Sequence, residues 1–164
     1  VSEPHGVLFV CLGNICRSPL AEAIFVHRAR ERGVRERFHV DSAGTGRWHV
    51  GGPADPRTIA VGAKNGIDVT SIARQVDPDA DFERFATILA MDQSNEATLL
   101  DWGAPRDRLF LMREFDPGLA GAERHRIDVP DPYHGGPDGF DKVFQMLDAA
   151  CLGLLDRLLR TGRG

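Results

Sequence analysis

The chain has 164 residues, a formal net charge of −4 and 27% charged side chains, the size and make-up of one soluble globular domain spanning residues 1–164. The negative balance argues against a general binder of nucleic acid or anionic membrane, leaving room only for a local basic pocket, and no apolar run approaches the roughly 20 residues that span a bilayer. Three cysteines leave one over from any pairing and match no zinc spacing, and residues 1–5 lack the basic and apolar parts of a signal peptide, so a cytoplasmic protein with reduced thiols and no metal is expected.

In chain order, residues 7–10 form a continuous apolar run, as in a strand covered on both faces. Ser18 and Pro19 then open a helix, with Ser as a capping type and Pro favoured in the first turn. Its apolar face carries Leu20, Ala21, Ile24, Phe25 and Ala29, and Gly33 is the expected stop. Phe38, His39 and Val40 form a second strand that leads into a small-residue loop at 41–46, followed by Arg47, Trp48 and His49. Asp55-Pro56 starts a second helix that ends near Asn65-Gly66. Residues 67–76 read as irregular, and Asp77-Pro78 opens a short helix toward Phe85. Residues 86–91 are a third buried strand, with Asp92 or Ser94 as the cap of the next helix. Residues 109–111 form a fourth strand. Residues 113–139 are a long Asp-, Pro- and Gly-rich segment of a length that is often functional. Asp138 opens a last helix with an apolar stripe of about five turns.

Alternating strands and helices imply an α/β fold: one doubly wound sheet of four parallel strands with helices on both faces. In such sheets ligands bind beyond the carboxyl ends of the strands. The loops at 11–18, 44–52 and 113–137 all belong to that rim, which brings Cys11, Arg17, Trp48 and the Asp-rich segment together.

Cys11-Leu12-Gly13-Asn14-Ile15-Cys16-Arg17-Ser18 sits between the first strand and the first helix. Successive backbone N–H groups beside a helix N-terminus make an anion site. Gly13 and Asn14 tolerate the left-handed backbone a tight loop needs. Arg17 offers a planar fork that takes two phosphate oxygens at once. The same positive field favours a nucleophilic thiolate at Cys11, and Ser18 is placed to donate to its sulfur. The Cys-to-Arg spacing alone is cheap, since Cys151 and Arg157 repeat it within the apolar stripe of the last helix. Cys151 therefore reads as a core cysteine. A general acid is also needed for an alkoxide or phenoxide leaving group. Asp131, held between Pro130 and Pro132, is a candidate, and Asp116 and Asp128 compete with it.

Together with Asp41-Ser42-Ala43-Gly44, Trp48, Ala73-Arg74-Gln75, Met91-Asp92 with Asn95, and Asp131-Pro132-Tyr133, the loop resembles the low-molecular-weight protein tyrosine phosphatases over nearly the full chain. The Trp-containing loop looks most like that of actinobacterial members. The resemblance implies a phosphotyrosine phosphatase with Cys11 as nucleophile, Arg17 as phosphate clamp and Asp131 as acid. It implies phosphate bound by the loop residues Leu12, Gly13, Asn14, Ile15, Cys16 and Ser18, and an aryl slot walled by Trp48 and Tyr133. Phosphotyrosine proteins are the expected partners, inorganic phosphate the product, and no cofactor is called for. Two departures stand out. Ser71 occupies a position where members often carry a His that supports the phosphate-loop network, so that support must be rebuilt or weakened. His134 replaces a second tyrosine. Cys16 matches a second loop cysteine that could pair with Cys11 to protect it from oxidation. The rival readings are a thiol-dependent arsenate reductase on the same fold, which needs further downstream cysteines, and a phosphotyrosine-binding module without turnover.

Overall fold

The computed structural model describes residues 3–161, so Val1 and Ser2 of the N-terminal stretch lie outside the described residues. Four parallel strands form one sheet: β1 (His5–Cys11), β2 (Phe38–Gly44), β3 (Thr87–Ala90) and β4 (Leu109–Leu111), in the order β2-β1-β3-β4. The helices are α1 (Arg17–Glu31), α2 (Pro56–Lys64), α3 (Pro78–Arg84), α4 (Gln93–Asp101) and α5 (Pro137–Arg160).

Strand alternation sends successive side chains to opposite faces, and both faces are buried. Val7 and Phe9 join a cluster with Leu20, Ile24 and Phe25 of α1 and the apolar stripe of α5. Leu8, Val10 and Ile88 face the other way, into a cluster with Phe82 of α3 and Leu99 of α4. The order places β1 centrally, with Cys11 at its carboxyl end opposite Gly44 of β2. This is the doubly wound sheet expected.

Some boundaries differ from the expectation. Strand β2 continues through Gly44 rather than ending near Val40. Its polar residues read as loop because their side chains serve a hydrogen-bond network, while the backbone stays in register with β1. Helix α1 begins at Arg17 with Cys16 as N-cap and no capping side chain, so Ser18 does not cap; its hydroxyl is used by Cys11 and Asn14 instead. Helix α5 begins at Pro137 behind Gly136, one residue before Asp138. Residues 113–139 are not wholly irregular, since short 3-10 turns occupy Met112–Phe115, Pro117–Leu119 and Arg124–Arg126.

Cys151 is fully buried on α5 beside α1, with its sulfur 3.6 Å from the Ala21 carbonyl oxygen. Burial pushes its thiol up out of the ionising range, and the guanidinium of Arg157 lies 5.0 Å from the centroid of the Phe115 ring. The second Cys-to-Arg spacing therefore joins a core cysteine to an exposed arginine and builds no site.

Candidate active site

The turn after β1 is shaped by one residue. Asn14 has φ 57°, the left-handed region that Asn tolerates better than most residues. Gly13 does not share that conformation; a Cβ there would lie 3.2 Å from the His49 ring, so its smallness serves a close approach. Gly44 serves another: a Cβ there would meet the Leu12 carbonyl oxygen at 2.8 Å. Strand β2 can thus back directly onto the loop. Among the described residues, the N–H groups of residues 13–17 donate to no other protein group, which leaves a run of donors at the N-terminus of α1 for an oxyanion.

Cys11 is buried at the bottom of this loop, its sulfur 3.0 Å from Ser18 Oγ. Asn14 Nδ2 donates to Ser18 Oγ at 2.8 Å and to Ser42 Oγ at 3.0 Å. The Arg74 amide donates to Asn14 Oδ1 at 3.0 Å, which fixes the orientation of the side-chain amide. Ser42 Oγ donates to Glu22 Oε1 at 2.6 Å. Burial, with help from Asp41, pushes the Glu22 carboxyl up to about 7. The Ser71 hydroxyl is buried without a partner, so the loop support is rebuilt through Glu22 and the Arg74 backbone rather than through residue 71.

Arg17 is held from two sides. Its Nη1 donates to Asp92 Oδ2 at 2.7 Å and to the Val129 carbonyl at 2.9 Å, while Nη2 lies 3.7 Å from Asp131 Oδ2. Burial works against the guanidinium charge, but Cys11, Asp92 and Asp131 outweigh it and hold the pKa above the ordinary value. Asp92 caps α4 with its other oxygen, accepting from the Asn95 amide at 2.7 Å. Of the two caps considered for that helix, Asp92 is the one used.

Asp131 likewise works with both oxygens. Oδ1 accepts from the Tyr133 amide at 3.1 Å, and Oδ2 faces Arg17 across the cleft. Its competitors are engaged elsewhere: Asp116 accepts from the Gly118 amide and Asp128 from the Gln93 amide, and neither lines the cleft.

A cavity of about 260 Å³ opens above the loop. Cys11, Leu12, Gly13, Ile15, Cys16 and Arg17 form its base, Asp131 one edge, and Trp48 and Tyr133 its aromatic walls. Asn14 and Ser18 are buried behind the base rather than in the lining. Two lining residues were not foreseen as such, His49 and His134. The His134 ring stands edge-on to Tyr133 at 4.8 Å between centroids. The only sequence signal for His49 was its place beside Trp48. Cys16 and Cys11 are both free thiols. Burial, then the nearby Asp55 carboxylate, pushes Cys16 up to about 12, so it stays protonated at neutral pH.

The family model for the low molecular weight phosphotyrosine protein phosphatases matches residues 6–163. A low molecular weight protein-tyrosine-phosphatase of Streptomyces coelicolor is 45% identical over 155 residues, covering 92% of each chain. A low molecular weight phosphotyrosine protein phosphatase of Schizosaccharomyces pombe is 46% identical over 147 residues, covering 87% of this chain and 90% of that one. Among solved structures, a protein tyrosine phosphatase from Entamoeba histolytica superimposes with a TM-score of 0.87 at 40% identity, over 96% of this chain and 99% of that one. The match runs through strand, loop, helix and distant Asp-Pro-Tyr segment alike, and the chain belongs to the low molecular weight phosphotyrosine protein phosphatase family.

Proposed function

We propose that this chain hydrolyses phosphotyrosine in proteins, and small aryl phosphates, through a phosphocysteine on Cys11. One observation carries the reading: a sulfur, a buried guanidinium and a partly exposed carboxyl converge on one cavity with aromatic walls.

In the first step the phosphate seats on the N–H groups of residues 13–17 and on Arg17, which neutralise charge on its oxygens. The Cys11 thiolate attacks phosphorus in line, an S–P bond forms, and the bond from phosphorus to the phenolic oxygen breaks. Asp131 gives its proton to that oxygen, so the departing group is a neutral phenol. In the second step Asp131, now a carboxylate, takes a proton from a water that attacks phosphorus. The S–P bond breaks, inorganic phosphate leaves, and the thiolate returns with Ser18 donating to it. Trp48 and Tyr133 flank the aryl ring and favour a flat aromatic alcohol over an aliphatic one.

The arsenate reductase rival needs downstream thiols that reach the cleft. Cys151, the one cysteine after the loop, is sealed in the core, so nothing favours that reading. Among the described residues no helix is long and apolar enough to cross a membrane. We place the enzyme in the cytoplasm, where its free thiols would stay reduced, and take the chain as one phosphatase domain acting on phosphoproteins. The test is phosphate release from a phosphotyrosine peptide and from p-nitrophenyl phosphate with EDTA present. Wild type is expected to turn over both, and Cys11→Ser neither. Full activity in Cys11→Ser would refute the mechanism, and binding without turnover by wild type would favour the silent module.

A further inference from the structure

A second groove of about 450 Å³ runs beside the catalytic cleft and shares three of its lining residues, Ile15, His49 and Tyr133. Its remaining surface includes Pro53, Pro56 and Ile59. Ile59 is 37% exposed at the start of α2, turned away from Thr58 and Val61, which pack inward. We propose that this groove is a specificity subsite that takes an apolar side chain of the substrate, one flanking its phosphotyrosine. The proposal rests on the phosphotyrosine reading above and adds the class of peptide that the enzyme prefers.

Three observations support an apolar occupant fixed in register with the phosphate. The groove is continuous with the cleft, and Tyr133 and His49 form the partition, their rings 6.4 Å apart. Its base is tied to the phosphate loop, since the Asp55 amide donates to the Ile15 carbonyl at 2.8 Å. A side chain seated there is therefore read at a fixed offset from a phosphate bound on that loop. The carboxylate that borders the groove is already satisfied: Asp55 Oδ1 accepts from the amide and Nε of Arg57, and Oδ2 from Nη2 at 2.9 Å. What remains for a ligand is the surface of two prolines and an isoleucine beside the partition rings, of which Tyr133 already carries the Arg57 guanidinium 5.4 Å from its centroid; that surface rewards an aliphatic group removed from water, with the His49 imidazole and the Tyr133 hydroxyl as polar groups at its edge. In an extended peptide adjacent residues lie only about 3.3 Å apart along the chain, so a subsite one ring away from the aryl slot is within reach of a near neighbour of the phosphotyrosine.

The experiment uses phosphotyrosine peptides in which Leu, Ser or Lys is placed in turn at each of the near positions on either side. The readout is the ratio of kcat/KM for the Leu peptide to that for its Ser counterpart, which cancels changes in the chemical step. Wild type is expected to favour Leu roughly tenfold at one position, the effect of partly burying one aliphatic side chain. Ile59→Ser should flatten the ratio at that position, and Ile59→Glu should shift the preference there to Lys. A flat ratio at every position in wild type, or a Leu preference that survives both substitutions, overturns the subsite. Turnover of p-nitrophenyl phosphate separates the two claims. If it proceeds while the ratios are flat, the groove alone is refuted; if neither it nor any phosphopeptide is turned over, the phosphatase reading fails and the subsite falls with it.

Discussion

Asn14 Nδ2 donates to Ser18 Oγ at 2.8 Å, and that bond decides where the Ser18 hydrogen points. A hydroxyl that accepts from an amide turns its own hydrogen elsewhere, and of the two acceptors in reach the Cys11 sulfur at 3.0 Å is closer than the Ala43 carbonyl oxygen at 3.5 Å. Asn14 thus acts through Ser18 on Cys11, the proposed nucleophile. Ser18→Ala is expected to lower kcat by about tenfold or more. Asn14→Gly keeps the left-handed backbone but deletes the side chain, and should do much the same. The double variant should be no slower than Ser18→Ala alone, because both changes break one path. Multiplying effects in steady-state kinetics would show that Asn14 acts independently.

Asp92→Asn retains a capping side chain for α4 but removes the charge that faces Arg17. Arg17 is buried, and leaving its charge less compensated should cost about 2 kcal/mol. A bound phosphate replaces part of the lost negative charge. Saturating inorganic phosphate is therefore expected to raise the melting temperature of Asp92→Asn more than that of wild type, by the linkage between binding and folding. Equal phosphate shifts in the two proteins would contradict this account of the pair.

Glu22 makes the fold sensitive to pH in a definite direction. Its carboxyl is pushed up to about 7 from an ordinary value of 4.5, by burial first and the Asp41 carboxylate in addition, against the opposing pull of the Ser42 hydrogen bond, Arg74 and Arg35. The unfolded chain therefore releases this proton at a lower pH than the folded one. Stability falls as pH rises from about 4.5 to about 7 and is level above that, with a total loss on the order of 3 kcal/mol. Glu22→Gln retains an acceptor for Ser42 and lacks the titration. In denaturant unfolding its stability relative to wild type should grow between pH 5 and pH 8. Parallel stability curves over that interval would remove Glu22 as the source.

Trp48 lies across Gly46, so closely that a Cβ on residue 46 would come within 1.9 Å of the indole ring. Trp48 is 72% exposed, so the ring is free to be pushed aside. Gly46→Ala should leave stability nearly unchanged and displace one wall of the aryl slot. KM for aryl phosphates is expected to rise severalfold while inhibition by inorganic phosphate, which touches only the loop, stays as in wild type. Equal weakening of both would place the effect on the loop instead.

The sheet, its order of elements and the rim were legible because apolar runs and helix-start residues follow local rules. The continuous apolar run around Phe9 and the 3.6-residue patterns around Ile24 and Leu147 report burial directly, and Asp55-Pro56 and Asp77-Pro78 announced their helices as they stand in the fold. What composition and spacing left open was long-range pairing. Asp131 could not be separated from Asp116 and Asp128 by spacing, because all three lie within two residues of a proline in one Asp-, Pro- and Gly-rich segment; which one faces Arg17 depends on how that segment crosses the sheet edge. Asp92 read as a helix cap, which it is, but its second oxygen meets a guanidinium that lies 75 residues away in the chain. The polar half of β2 read as loop because Asp41 and Ser42 spend their side chains on partners that the local sequence does not reveal. Glu22 has nothing in its local sequence to mark it out from an ordinary surface carboxylate of α1, yet its carboxyl accepts from the Ser42 hydroxyl 20 residues away.

In the proposed mechanism the transferred phosphate passes through Cys11. Its most direct measurement is rapid acid quenching during turnover of a phosphotyrosine substrate labelled in its phosphate, followed by peptide mapping of the protein. Label is expected on the peptide that contains Cys11, gained and lost at rates consistent with kcat, with a larger trapped fraction when dephosphorylation is slowed in Asp131→Asn using a substrate with a good leaving group. Sustained phosphate release with no label on that peptide, or with label on another residue, would contradict it.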